Sequence, residues 1–107
     1  MTRRLAIAAL LSLSLGAFAQ EKDIVITIKD HKFSPDRVEI AAGKKVKLIV
    51  ENKDATPEEF ESDTLKVEKV IPGNSKATIY VGPLKPGEYK FVGEFNEKTA
   101  KGVIVAK

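Results

Sequence analysis

Five carboxylates fall within ten residues in DATPEEFESD, positions 54 to 63. A second stretch, GEFNEKTAKG at 93 to 102, adds Glu94 and Glu97 around Phe95 and Asn96. Carboxylate and amide oxygens are hard donors, suited to Fe(III), Mn(II), Ca(II) or weakly held Cu(II). Alternation would divide the first cluster, with Glu58, Phe60 and Ser62 on one face of an extended segment and Glu59, Glu61 and Asp63 on the other. One ion cannot draw on all of them. If the two stretches meet in space, Glu58 and Glu94 are the first candidates for ligands. Glu59, Glu61 and Asp63 rank behind them, and Asn96 offers one neutral oxygen.

The same residues admit a structural reading. Thr56-Pro57-Glu58-Glu59 has the form of a helix N-terminus, with threonine as cap, proline at the first position and glutamate three residues after the cap. Glu61 and Asp63 could pair with Lys66 and Lys69, each surface pair contributing about 0–1 kcal/mol. The single histidine, His31, sits between Asp30 and Lys32 in what reads as an exposed strand end or turn. From that edge it forms no Ser-His-Asp arrangement and no acid–base pair. With neither a nucleophile and its base nor an open catalytic metal in view, an enzyme is not expected.

The elements that must position these groups are strands. Ile24, Ile26 and Ile28 can share one face, as can Val38 with Ile40, and Val46 with Leu48 and Val50. Ala77, Ile79 and Val81 repeat the pattern, followed by Tyr89 with Phe91 and by Val103 with Val105. Turn residues separate the sets: Ser34-Pro35-Asp36, Ala42-Gly43-Lys44, Pro72-Gly73-Asn74, Pro83 and Pro86-Gly87. Six or seven short strands with tight turns predict an all-β sandwich. Phe33, Phe60, Phe91, Tyr80 and Tyr89 are expected in its core. Tyr89 is also placed to act as a corner, bonding its hydroxyl to nearby backbone. Phe95, flanked by Glu94 and Asn96, is the aromatic expected at the mouth.

The chain opens MTRRLAIAALLSLSLGAFAQ. Arg3 and Arg4 precede an apolar run, and Ala17-Phe18-Ala19 supplies a small-x-small cleavage signature, the pattern of a secretory signal peptide spanning residues 1–19. Residues 20–107 then form one domain, periplasmic and without stable membrane insertion. There is no cysteine, so disulfides contribute nothing. The chain carries 18 Lys and Arg against 15 Asp and Glu, and the signal accounts for two of the basic residues. Near-neutral balance with interspersed signs leaves no basic stripe for nucleic acid.

HKFSPDRVEIAAGKKVKLIVENKDATPEEF resembles the front half of a cupredoxin-like domain, through Phe33 and Pro35 before a strand, Gly43 in the next turn, Val46, and Asn52 closing the following strand. GPLKPGEYKFVGEF, with KGVIVAK after it, resembles the final hairpin, where a Pro-Gly-x-Tyr turn leads into the metal loop. More narrowly, DATPEEFES and GEFNEKTAKGVIV are similar to exported cupredoxin-like domains found alone or joined to bacterial iron-uptake components. The similarity covers residues 23 to 107. It implies an antiparallel Greek-key β-sandwich in which the loops after Asn52 and Phe91 meet at one end.

The resemblance also implies copper-ligand positions, and there the chain departs from it. Glu58 stands near the place of the first histidine, Gly93 at the cysteine and Asn96 at the second histidine. Thr99-Ala100 occupies the region of the methionine. Blue copper needs a thiolate and two imidazoles, so a blue electron-transfer site is excluded on ligand chemistry. The narrower group implies histidines at the positions of Asp63 and Asn96, and both are absent. What remains is an exported cupredoxin-like protein that binds a copper or iron ion weakly through carboxylates for periplasmic metal handling. A periplasmic or membrane metal-transport component would be its partner. The alternative is a metal-free module that contacts another envelope protein through Phe95 and Pro57.

Overall fold

The computed structural model describes residues 23–107, so the expected signal peptide lies outside the described residues. Among the described residues nine strands follow one another: β1 (Ile24–Lys29), β2 (Lys32–Ser34), β3 (Arg37–Ile40), β4 (Val46–Asn52), β5 (Glu58–Ser62), β6 (Val67–Ile71), β7 (Ser75–Val81), β8 (Gly87–Gly93) and β9 (Lys101–Ala106). A 3-10 turn, Glu94–Asn96, lies between β8 and β9. The strands form two sheets, ordered β2-β1-β4-β7 and β3-β9-β8-β5-β6. The all-β sandwich is therefore present.

The sheets are mixed, not purely antiparallel. β1 pairs with β4, and β3 with β9, in parallel; the other pairings are antiparallel. The reason is topological. The chain crosses to the other sheet for β3 before it returns as β4, so β4 runs in the same direction as β1.

Inward-facing residues of both sheets meet in one core, including Ile26, Ile28, Leu48, Val50, Ile71 and Ile104. Its aromatic centre is Phe33, Phe60 and Phe91. Phe60 stacks on Phe91 at 4.9 Å, and Phe33 meets both rings edge-on. Burying one such ring contributes about 1.5–3 kcal/mol. Because Phe60 must enter this cluster, the segment around it is extended, and Thr56–Glu59 does not begin a helix. Glu58 instead starts β5.

Two further expectations change. Tyr80 is 57% exposed on β7, with the Lys45 ammonium 4.9 Å from its ring centre, so it lies outside the core. On β9 the central cluster takes Ile104 and Ala106, while Val105 is buried on the other face and Val103 is half-buried. Phe91 sets this parity, since Gly102 lies directly opposite it and a side chain at 102 would collide with its ring. Tyr89 does form the expected corner, donating its hydroxyl to the Lys85 carbonyl at 2.7 Å.

Candidate functional site

Asn52 organises the approach to the acidic stretch. It is buried at the end of β4, and its Nδ2 donates to the carbonyls of Thr56 and Ile71 at 2.8 and 3.1 Å. Its Oδ1 accepts the N–H of Asp54 at 3.0 Å. Asp54 is thereby turned toward the β1–β2 hairpin, where its carboxylate accepts the N–H groups of Asp30 and His31 at 2.8 and 3.0 Å. Those two residues have φ of 53° and 60°, the left-handed pair of a tight hairpin turn. The hydrogen bond from His31 N–H, ahead of that from Asp30, holds the Asp54 carboxyl below its ordinary range.

Beyond this loop the alternation of β5 separates the carboxylates as expected. Glu58, Phe60 and Ser62 point inward and are buried, while Glu59 and Glu61 are half-buried on the outer face. Glu58 is only 1% exposed. Its Oε1 accepts the N–H of Phe95 at 2.9 Å and of Glu59 at 3.0 Å; its Oε2 accepts Asn96 Nδ2 at 2.7 Å. Glu58 and Asn96 are thus brought together, as partners of each other.

On the outer face the register of β5 against β6 sets Glu61 opposite Glu68. Carboxylate oxygens of Glu59, Glu61 and Glu68 all lie within 4.8 Å of one another. A hollow of about 320 Å³ adjoins them, lined by Glu61, Asp63, Lys90, Glu94 and Glu97 among others. A hydrogen bond with Glu61, followed by burial and by the charge of Glu61, pushes the Glu94 carboxyl above its ordinary range; a hydrogen bond with Glu97 acts the other way. Burial, then the charges of Glu68, Glu94 and Glu58, push Glu59 up as well. Like charges crowded in this way favour a proton or a cation between them.

Of the six residues singled out from sequence, Glu59 and Glu61 share the outer cluster, with Glu94 and Asp63 at its hollow. Glu58 and Asn96 lie on the inner side. Glu68 is not singled out by sequence; its neighbours Val67, Lys69 and Val70 break alternation, and only the β5–β6 register brings it opposite Glu61. The ion pairs among the described residues join Arg37 to Glu88, Lys47 to Asp23, Lys53 to Glu51 and Lys107 to Glu39, so they lie away from this cluster. Nor is His31 remote from the second loop. It lines a hollow of about 510 Å³ with Glu94, Phe95, Asn96, Glu97 and Lys98, where Phe95 is 52% exposed.

A blue-copper ion does not fit the inner side of this pole. Gly93 supplies no thiolate, and a Cβ built there would stand 2.6 Å from Glu58 Cδ and 2.7 Å from the Ala100 methyl. Among the described residues, no buried side-chain nitrogen or oxygen is left without a hydrogen-bond partner that a metal could supply.

The family described as Cupredoxin-like domain matches residues 3–106. The Uncharacterized protein RP394 of Rickettsia prowazekii is 46% identical over 83 residues, covering 78% of this chain and 66% of that protein's length. Among solved structures, a copper binding protein in its apo form superposes with a TM-score of 0.71 at 16% identity, over 82% of this chain and 93% of that one. The metal binding domain of the Streptococcus pneumoniae D39 Cu(I)-exporting P-type ATPase CopA, solved with Cu(I), gives 0.68 at 15% identity, over 79% and 84%. Amicyanin from Paracoccus versutus gives 0.65 at 13% identity, over 85% and 87%. At these identities the solved structures establish the fold alone.

Proposed function

The chain belongs to the cupredoxin-like domain family, and from that premise we propose that it is an exported metal-binding protein without blue-copper electron transfer. It holds a copper or iron ion weakly through surface carboxylates and serves periplasmic metal handling, passing the ion to a periplasmic or membrane transport component. The observation that carries this reading is the convergence of Glu59, Glu61 and Glu68 oxygens within 4.8 Å on the outer face of the five-stranded sheet. Glu94 adjoins them through Glu61. An all-oxygen donor set suits Fe(III) or Cu(II) better than the soft Cu(I). Its openness to solvent favours capture and handover by ligand exchange.

The test is a set of thermal melts of the protein in EDTA, Cu(II), Mn(II) and Fe(III)-citrate, repeated for Glu61→Gln and Glu68→Gln. A specific ion at about 100 times its dissociation constant stabilises the fold by about 2.7 kcal/mol. A shift with one metal that both variants abolish supports the reading. Identical melts in every condition would overturn it.

The exposure of Phe95, beside His31 and Lys98, favours a second reading, a metal-free module that docks another envelope protein. In that case Phe95→Ala weakens partner binding, whereas Glu61→Gln and chelators leave it intact.

A further inference from the structure

Glu58 lies among donors. Three N–H groups, from Glu59, Phe95 and Asn96, point at its two oxygens at 2.7–3.0 Å. An arrangement of converging N–H dipoles holds an anion and repels a cation. The space around it is closed too, since even a methyl at Gly93 would lie 2.7 Å from Oε2. Two of the partners, Phe95 and Asn96, are 37 and 38 residues away in sequence, in the β8–β9 loop. The Phe95 N–H belongs to the first turn of the 3-10 segment, where N–H groups have no partner within the helix, and Gly93 before it has no side chain to cap them.

We propose that Glu58 is a hydrogen-bonded clasp, joining β5 to the β8–β9 loop, and that it is not a metal ligand. The carboxylate cross-links the pole and caps the 3-10 turn from a neighbouring strand. The pole is therefore organised in the absence of any metal. This inference is independent of whether the outer carboxylates bind an ion.

The polarity of the Glu58–Asn96 contact provides the test, in EDTA throughout. Asn96→Asp sets a second carboxylate against Glu58 Oε2; it should lower Tm by several degrees and reduce hydrogen-exchange protection at the Phe95 amide about tenfold. Glu58→Gln alone should be mild, because the Asn96 amide can turn to accept. Combining Glu58→Gln with Asn96→Asp reverses the polarity of the pair. The new amide at position 58 then donates to the new carboxylate at position 96, while its oxygen still accepts from Phe95. Most of the lost Tm and protection should return. Glu58→Leu, which offers no acceptor, should not be rescued by Asn96→Asp. Strictly additive effects of Glu58→Gln and Asn96→Asp would overturn the proposal. So would a Phe95 amide that is unprotected in EDTA and becomes protected on adding Cu(II) or Fe(III)-citrate.

Discussion

The Cα of Gly93 faces the Glu58 carboxyl so closely that an added Cβ would lie 2.6 Å from Glu58 Cδ. The missing side chain at 93 and the buried acid at 58 are two halves of one packing solution. Gly93 has an ordinary extended backbone, φ −91°, so room and not conformational freedom is what requires glycine there.

Gly93→Ala should therefore destabilise the domain by about 1–3 kcal/mol, the usual cost of overpacking a closed interior. Urea unfolding monitored by circular dichroism would read it. An unchanged midpoint would mean that the pole is looser than the contacts of Glu58 imply.

Tyr89→Phe tests the corner. The change deletes the hydroxyl bond to the Lys85 carbonyl, 2.7 Å long, and leaves the ring beside the Pro86-Gly87 turn. A loss of about 1 kcal/mol is expected, read as a lower denaturant midpoint at constant slope.

The outer carboxylates give stability a definite pH dependence. Glu59 and Glu94 are raised in the folded state, so their contribution is full below the ordinary glutamate range and is lost as pH rises through the raised folded values. The facing groups are Glu61 on β5, Glu68 on β6, Lys90 on β8, and Asp63 and Glu97 in the loops. Glu61→Gln should make the protein more stable than wild type at pH 7 and low salt, and the advantage should vanish near the bottom of the carboxylate range. Melts across pH in EDTA would check it.

Asp54 works with the opposite sign. Its carboxyl is held low by the N–H groups of His31 and Asp30, so its contribution is present above the ordinary aspartate value and lost as pH falls through the depressed folded one. Asp54→Asn should cost stability at neutral pH and progressively less in acid. A constant difference across pH would show that the hairpin turn does not need the charge.

Much of this is legible in the sequence because it depends on parity. The alternation that sends Glu58 inward and Glu59 outward is local, as is the tyrosine corner beside Pro86-Gly87. Parity alone fails on β9, where Val103, Ile104 and Val105 are apolar on both faces. There the core face is decided by Phe91 crossing Gly102, a contact between strands. Glu68 is hidden for a similar reason, since its place depends on the register across Asp63–Lys66. The proximity of His31 to the second loop is also tertiary, because β1, β2 and the Asp54 contact fix it. Sequence can name the carboxylates of DATPEEFESD, but only the folded chain assigns them different work: Asp54 to a turn, Glu58 to the interior, Glu59 and Glu61 to the outer face.

The parallel pairing of β3 with β9 bears on the order in which the domain assembles. β3 has β9 as its partner in the sheet, joined from Arg37↔Val103 to Ile40↔Ala106, so it waits for the final strand before it can be zipped in. Such distant pairings must meet loop-closure entropy before any contact rewards them, which makes folding slow relative to local hairpins. Until β9 docks, β3 is an edge with no partner in its sheet, whereas β2-β1-β4-β7 and β8-β5-β6 can pair without it.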